Sequence, residues 1–174
     1  MTPARTYGLP ALAGALLLGS AVACAAESLQ AVLDAAAPGT VVQLSAGTYT
    51  GPAMIDKTLT IDGGGAVIDG GGHGSVITVE AADVVLRNLV VRNSGIDLSE
   101  HDSGIFVGKG GDRALIENNR VEGNLIGIYL WGPDDAQVRD NAIVGRDDLR
   151  LNERGNGVQL WNTPGSVVEN NDVR

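Results

Sequence analysis

Short runs of apolar residues that alternate with polar ones recur along the second half of the chain, and two blocks return in an unchanging order. The first block opens with glycine and occupies residues 104–107, 127–130 and 157–160. The second block ends in Asn and occupies residues 116–119, 138–141 and 168–171. Self-similarity at a period of roughly 20 to 30 residues is typical of a solenoid, whose units bury their apolar faces only by stacking on one another.

Aligning the repeats places similar residues at equivalent positions. Two inward rows are predicted, which contain Ile77, Ile105, Ile128 and Val158, and then Val79, Val107, Leu130 and Leu160. Because strand side chains alternate, the residues between these rows should point outward, namely Thr78, Phe106, Tyr129 and Gln159. A fourth row falls at turns, where Asn tolerates left-handed backbone angles and stacked amides can bond, and contains Asn88, Asn118, Asp140 and Asn170. These rows predict an all-β fold, a right-handed parallel β-helix.

Upstream of the repeats, the pattern predicts one short helix and a series of strands. Ser28 caps the helix, and its apolar face consists of Leu29, Val32, Leu33 and Ala36. Strands are predicted at residues 41–44, 59–61, 66–68, 76–79 and 84–86, and no later segment has a helical pattern. We expect the helix to cover the first coil, because an open rung would present unpaired backbone groups. The C-terminal end has no such cap, which favours a fragment of a longer solenoid.

Residues 1–25 predict an export signal. One basic residue is followed by an uncharged run rich in Leu and Ala, which is too short for a convincing membrane span. Cleavage after Ala25 would remove Cys24 and leave one periplasmic β-helix domain over residues 26–174, with no membrane insertion of the mature chain. A lipoprotein anchored at Cys24 is the less favoured alternative, because Ala21 stands where a lipobox prefers Leu.

The net charge disfavours several classes of binding partner. The chain contains 12 Lys and Arg against 21 Asp and Glu, a net charge of −9, and no basic run. Such a domain should repel nucleic acid and anionic lipid, so neither is a predicted partner. Acidic polysaccharide is also disfavoured, and an aromatic content of 3% leaves few stacking platforms for sugars.

Two expansions interrupt the repeat at the same corner of the coil. The first loop spans residues 94–102 and the second loop spans residues 145–154. Rungs of a β-helix rise about 4.8 Å each, so loops two coils apart emerge roughly 10 Å apart and can touch. Function on a rigid scaffold usually resides in its loops, so this flank is the first candidate site.

Three kinds of chemistry compete for the flank. In the first, its carboxylates pair with Arg146, Arg150 and Arg154 and hold the loops together; they are Asp97, Glu100, Asp102, Asp147, Asp148 and Glu153. In the second, His101 and Asp102 act as acid and base on a polyuronate, as in a polysaccharide lyase or uronate C5-epimerase. In the third, His101 and Asp102 ligate a divalent metal, although one histidine among carboxylates is a weak signal. Cu(I) would prefer sulfur, and the mature chain offers only Met54 and at most Cys24.

A docking surface for a partner protein is the favoured interpretation. Trp131 and Trp161 follow Leu130 and Leu160 in the same register, so the two rings should stack on adjacent coils as nearby anchors. The predicted docking residues are Asp97, Glu100, His101, Asp102, Asp147, Asp148, Arg150, Glu153, Arg154, Trp131 and Trp161. No catalytic residue and no cofactor is predicted from the residues themselves.

The sequence resembles the NosD family, periplasmic β-helix proteins needed to mature nitrous oxide reductase. The matching stretches are residues 68–72, 102–106, 122–130 and, most specific, 152–161. The resemblance implies a non-catalytic accessory role in building the copper-sulfide centre of the reductase. It implies as partners an ABC transporter, formed by the membrane subunit NosY and the ATPase NosF, and the reductase apoprotein. Only this resemblance suggests copper as a cofactor of the protein.

Overall fold

The computed structural model describes residues 26–174. The predicted export signal, its cleavage site and Cys24 therefore lie outside the described residues. Within them, the chain forms one short helix and 18 short strands, all of whose pairings are parallel.

The strands form three sheets. The seven-stranded sheet contains β1 (Glu27–Ser28), β3 (Thr48–Thr50), β6 (Val67–Asp69), β9 (Val90–Arg92), β12 (Arg120–Glu122), β15 (Ala142–Val144) and β18 (Asp172–Val173). The five-stranded sheet contains β4 (Ala53–Ile55), β7 (Ile77–Val79), β10 (Ser103–Val107), β13 (Ile126–Trp131) and β16 (Val158–Trp161). The six-stranded sheet contains β2 (Val41–Gln43), β5 (Thr60–Asp62), β8 (Val85–Arg87), β11 (Leu115–Glu117), β14 (Gln137–Arg139) and β17 (Val167–Glu169).

The chain visits the six-, seven- and five-stranded sheets in turn, so that three strands make one coil of a parallel β-helix. The predicted register is confirmed, because Ile105 pairs with both Ile77 and Ile128, and Ile128 pairs in turn with Val158. Both inward rows are buried except in the last coil, where Leu160 is 47% exposed. The apolar core is therefore a column that runs along the axis of the coils.

The helix α1 (Leu29–Ala35) caps the first coil, as predicted. Ser28 accepts a hydrogen bond from the N–H of Ala31, and Leu29 and Leu33 are fully buried against the core. The Gln30 side chain accepts from the N–H of Met54 at 2.8 Å and donates to its carbonyl oxygen at 3.3 Å. These bonds occupy backbone groups of β4 at the edge of its sheet, which would otherwise be open to pairing.

A row of inward asparagines joins the later coils. The burial of these side chains was not predicted from the sequence. Asn119 and Asn141 are each 2% exposed. The side-chain oxygen of Asn141 accepts the N–H of Asn119 at 2.9 Å, and that of Asn171 accepts the N–H of Asn141 at 3.0 Å. The Asn141 amide also donates to the carbonyl of Ile116, one coil away, at 2.9 Å. Each asparagine thus satisfies backbone groups of the preceding coil at a corner where the strand pairing is interrupted.

The predicted outer row of turn residues is also confirmed. Asn88, Asn118, Asp140 and Asn170 all have left-handed backbone angles, with φ between 52° and 57°. The amide of Asn118 donates to the side-chain oxygen of Asn88 at 2.5 Å, which links neighbouring coils on the outside of the same corner.

The glycine that opens each repeat is required by close packing. A Cβ at Gly127 would lie 2.6 Å from Cγ2 of the buried Ile143 and would clash with the carbonyl of Gly157. A Cβ at Gly104 would lie 2.8 Å from the carbonyl oxygen of Gly127. The coils therefore approach each other closely at the corner from which the two loops leave.

Several strands were not predicted, namely β1, β3, β4, β9, β12 and β15, each of two or three residues. Of these, β3 and β4 flank Pro52, which removes a backbone donor. The strand predictions lie within one residue of the observed strands. A single turn of 3-10 helix, Leu151–Glu153, lies in the second loop, where no helix was predicted.

We expect Asn141→Ala to lower the free energy of unfolding by about 2–4 kcal/mol. The substitution leaves the buried N–H of Asn119 without its partner and removes the side-chain hydrogen bond to the carbonyl of Ile116. Urea unfolding followed by circular dichroism measures the change. Gln137→Ala, an exposed position in the same coil, is the control and should change the midpoint little; equal midpoints for the two variants would contradict the role of Asn141.

Candidate functional site

The first loop is closed on itself by two aspartates. The carboxylate of Asp97 accepts the N–H of Ser99 at 2.8 Å and its hydroxyl at 2.5 Å. The hydrogen bond from the Ser99 hydroxyl is the main cause that lowers the pKa of Asp97 below its ordinary value. Asp102, only 6% exposed, accepts the N–H of Asp97 through Oδ2 at 2.9 Å, and its own N–H donates to the Asp97 carbonyl at 3.1 Å. The loop therefore has a defined shape.

The base of the first loop is held by the coil that follows it. Buried Asn124 accepts the N–H of Ser94 at 3.0 Å and donates to the carbonyl of Val91 at 3.0 Å. The hydroxyl of Ser94 in turn accepts the N–H of Leu125 at 2.9 Å. Both ends of this junction are fixed by side chains that are themselves buried.

The second loop is also closed internally. Arg146 pairs with Asp148 at 2.5 Å, and this hydrogen-bonded pair lowers the pKa of Asp148. Arg154 donates to the carbonyls of Leu149 at 2.8 Å and Asp147 at 2.9 Å. No ion pair among residues 26–174 joins the two loops, so the expected pairing between them is wrong. Each loop instead uses its own backbone carbonyls and carboxylates, which lie closer along the chain.

The two loops nevertheless lie side by side. Ile96, Asp97 and Leu98 of the first loop and Asn152 and Glu153 of the second line one open cleft of about 320 Å³. The flank predicted from the spacing of the repeats therefore exists as a contiguous surface.

The arrangement gives little support to an acid–base pair at His101 and Asp102. The imidazole of His101 packs against Tyr129, with ring centroids 5.2 Å apart, while Oδ2 of Asp102 accepts the N–H of Asp97, and no hydrogen bond joins His101 to Asp102. Residues 26–174 contain no group of three or more His, Cys, Asp or Glu side chains that could hold a metal ion. A metal ion bound by His101 and Asp102 would therefore find no third such side chain among the described residues.

Four aromatic residues form a continuous patch on the outside of the five-stranded sheet, which we call the aromatic face: Phe106, Tyr129, Trp131 and Trp161. Phe106 lies edge-on to Tyr129 at 5.5 Å and 6.3 Å from Trp131. Trp131 and Trp161 stack at 5.7 Å with an interplanar angle of 18°, so their predicted stacking is confirmed. The outward positions of Phe106 and Tyr129 were predicted from the sequence. Their clustering was not predicted, because the chain contains few aromatic residues.

The tryptophans lie at the far edge of this face and not beside the loops. The first loop leads into β10 and the second into β16, whereas Trp131 and Trp161 end their strands. β13 is six residues long, so its two ends lie about 16 Å apart. His101, which touches Tyr129, connects the first loop to the aromatic face.

An acidic cleft of about 530 Å³ lies where the first loop meets the aromatic face. Its lining consists of Gly74, Ser75, Thr78, Asp97, Glu100, Asp102 and Phe106. Three carboxylates and one aromatic ring therefore share a cleft whose lining has no basic side chain. The candidate site is this cleft together with the aromatic face and the loop flank.

The coils and the surface built on them place the chain in a class of solenoid proteins. The chain belongs to the right-handed β-helix family: the family model described as "Right handed beta helix region" matches residues 65–174. No helix among residues 26–174 is long and apolar enough to cross a membrane.

Two curated proteins named "Probable ABC transporter binding protein NosD" are homologous to the chain, which confirms the resemblance. The protein of Pseudomonas aeruginosa is 39% identical over 131 residues, which is 75% of this chain and 31% of the relative. The protein of Stutzerimonas stutzeri is 36% identical over 133 residues, which is 76% of this chain and 30% of the relative. The chain thus spans about a third of the length of the curated relatives it matches.

We expect Ser99→Ala to raise the pKa of Asp97 toward its ordinary value, because the main bond that favours the carboxylate is lost. A lowered pKa means that the contribution of Asp97 to loop order is present above the ordinary pKa and is lost as pH falls through the lowered value. NMR titration of the Asp97 carboxyl measures the shift. Ser45→Ala, an exposed serine elsewhere, is the control, and an unchanged Asp97 titration in Ser99→Ala would refute the assignment.

Proposed function

We propose that this chain is part of a periplasmic accessory protein that works with an ABC transporter in the maturation of nitrous oxide reductase. The observation that carries the proposal is the homology, over about three quarters of the chain, to proteins named as ABC transporter binding proteins. The partners in this proposal are the membrane subunit NosY with the ATPase NosF, and the reductase apoprotein. Copper, or the sulfide of the copper-sulfide centre, is cargo of the assembly and not a resident cofactor of these coils.

A docking role fits the candidate site better than a catalytic one. Ile96 and Leu98 of the first loop are 62% and 45% exposed, and Phe106 and Trp131 are partly exposed. Exposed apolar groups rimmed by charged residues are typical of interaction surfaces. The coils beneath hold these groups in fixed positions, so the surface is preorganised and little ordering entropy is lost on binding.

The predicted docking residues divide between two regions of this surface. The first loop and the acidic cleft present Asp97, Glu100, His101 and Asp102, while the second loop presents Asp147, Asp148, Arg150, Glu153 and Arg154. Trp131 is linked to the first group through Phe106, whose ring centroid is 6.3 Å from that of Trp131 and which lines the same cleft as Asp97, Glu100 and Asp102. We propose that the first loop and the aromatic face engage one partner together.

We expect the double variant Trp131→Ala, Trp161→Ala to weaken capture of the partner at least tenfold, because buried aromatic anchors commonly contribute about 2 kcal/mol or more each. The measurement is co-purification of the chain with the transporter membrane subunit and, separately, with the apo-reductase. Val41→Ala, at a position 62% exposed on a different sheet, should leave capture unchanged. Undiminished capture of both partners by a folded double variant would exclude the aromatic face as the docking site.

A polysaccharide lyase or C5-epimerase that uses His101 and Asp102 is the alternative. We expect no unsaturated product and no change of epimer content when the protein is incubated with polymannuronate or polygalacturonate, because the cleft that Asp102 lines has three carboxylates and no basic side chain to bind an acidic polymer. Absorbance of the unsaturated product and NMR of the polymer measure the two activities. Turnover that disappears in His101→Ala would reverse the ranking of the two functions.

A further inference from the structure

Asp102 presents a nearly buried charge that the described residues do not neutralise. It is 6% exposed, and its only side-chain hydrogen bond reaches Oδ2, from the N–H of Asp97. No hydrogen bond from residues 26–174 reaches Oδ1, yet no fully buried side-chain atom among them lacks a partner. Oδ1 is therefore open to the acidic cleft, which Asp102 lines. Burial of a carboxylate is unfavourable unless a cation or a hydrogen-bond donor binds it.

The backbone around Asp102 is shaped to place its carboxylate. A Cβ on Gly95 would stand 2.7 Å from Cγ of Asp102, so only glycine leaves room for this rotamer. Glu100 is exposed and lines the same cleft, and its carboxylate forms none of the ion pairs in residues 26–174.

Seven of the eleven Lys and Arg side chains in residues 26–174 pair with other carboxylates. Seven ion pairs form between residues 26 and 174, and none includes Asp97, Glu100 or Asp102. Three of the pairs illustrate the pattern, since Arg87 binds Asp62 and Arg139 binds Glu117 across coils, and Arg146 binds Asp148 within the second loop. The acidic cleft thus retains its negative charge for an external cation.

The ring of Phe106 makes a guanidinium the best-suited cation. Phe106 lines the acidic cleft beside the three carboxylates and is partly exposed. A guanidinium can bind a carboxylate with two parallel hydrogen bonds and stack on an aromatic ring at the same time, which an ammonium cannot do.

The aromatic face is better suited to protein side chains than to sugars. Trp131 is covered on one side by Trp161 at 5.7 Å and carries the ammonium of Lys109 5.0 Å from its ring centroid. Tyr129 is only 3% exposed. Tyr129 and Trp131 therefore lack the open ring faces that sugar stacking requires, whereas the partly exposed Phe106 can still stack with a cation. Met54, 52% exposed in the same row as Phe106, extends the apolar surface.

We propose that the acidic cleft binds an arginine of a partner protein, in an extended segment whose apolar side chains pack on the aromatic face. The guanidinium contacts the carboxylates of Asp102 and Glu100 and lies against Phe106. The assignment of this partner to the transporter or the reductase rests on the proposed function. The predicted chemistry of the bound segment does not depend on that function.

A synthetic peptide tests the inference without either natural partner. The probe is a fluorescein-labelled peptide of about eight residues, the length that spans the face when extended, with one arginine followed by leucines. Its analogue replaces arginine by citrulline, which is nearly isosteric and uncharged. Fluorescence anisotropy should show binding of the arginine peptide and at least about tenfold weaker binding of the citrulline peptide, as expected for loss of a charge-assisted hydrogen bond.

Matched variants localise the effect. Asp102→Asn and Glu100→Gln should each weaken the arginine peptide about tenfold and leave the citrulline peptide unchanged. Asp140→Asn removes the same charge at a turn where neighbouring coils carry Asn88, Asn118 and Asn170, and it should bind the arginine peptide as the parent chain does. Circular dichroism confirms that each variant is folded.

Several results would overturn the inference. They are equal binding of the two peptides, equal loss in Asp140→Asn and Asp102→Asn, or displacement of the peptide by neutral cellohexaose, which would identify a sugar site instead. If the peptide fails while the tryptophan variants still lose capture of the natural partner, the arginine inference is wrong and the proposed docking function stands.

Discussion

The fixed register between successive coils is the constraint on which every other feature of this protein depends. No strand among residues 26–174 has more than six residues, so no coil can bury its apolar side chains alone. Stacked inward rows such as Ile77, Ile105 and Ile128 supply the hydrophobic core, and the asparagine row supplies backbone partners at the corner. A slip of one residue would turn the whole inward row to solvent, so the register is strongly specified.

The candidate site is a direct product of this register. The aromatic face draws its residues from β10, β13 and β16, whose sequence positions are far apart but whose side chains fall in adjacent rows. The close approach of coils at Gly127 allows the loops to leave from one corner without separating the sheets. Chemistry that looks scattered along the chain is thereby concentrated on one side of a rigid column, where a partner can contact several coils at once.

The fold could be predicted in detail because strand alternation and repeat spacing each encode it directly. Inward rows, the Asn turn row and the helix cap at Ser28 all follow from local rules and are confirmed. The site was less predictable, because side-chain contacts between coils depend on rotamers that spacing does not specify. An ion pair between Arg146 and a carboxylate could be expected from the sequence. Its partner, Asp148 in the same loop, could not be predicted. Likewise the outward position of Phe106 was evident, whereas its place between Tyr129 and Trp131 required the three-dimensional register.

The anchoring of the first loop by Asn124 has a consequence for biogenesis. Ser94 and Asn124 are 30 residues apart, and the second residue lies in the coil that follows the loop. A chain that folds from its N-terminus as it emerges cannot fix this loop until the later coil has docked onto the growing rod. The loop therefore acquires its fixed shape late, only after the coils around it have assembled.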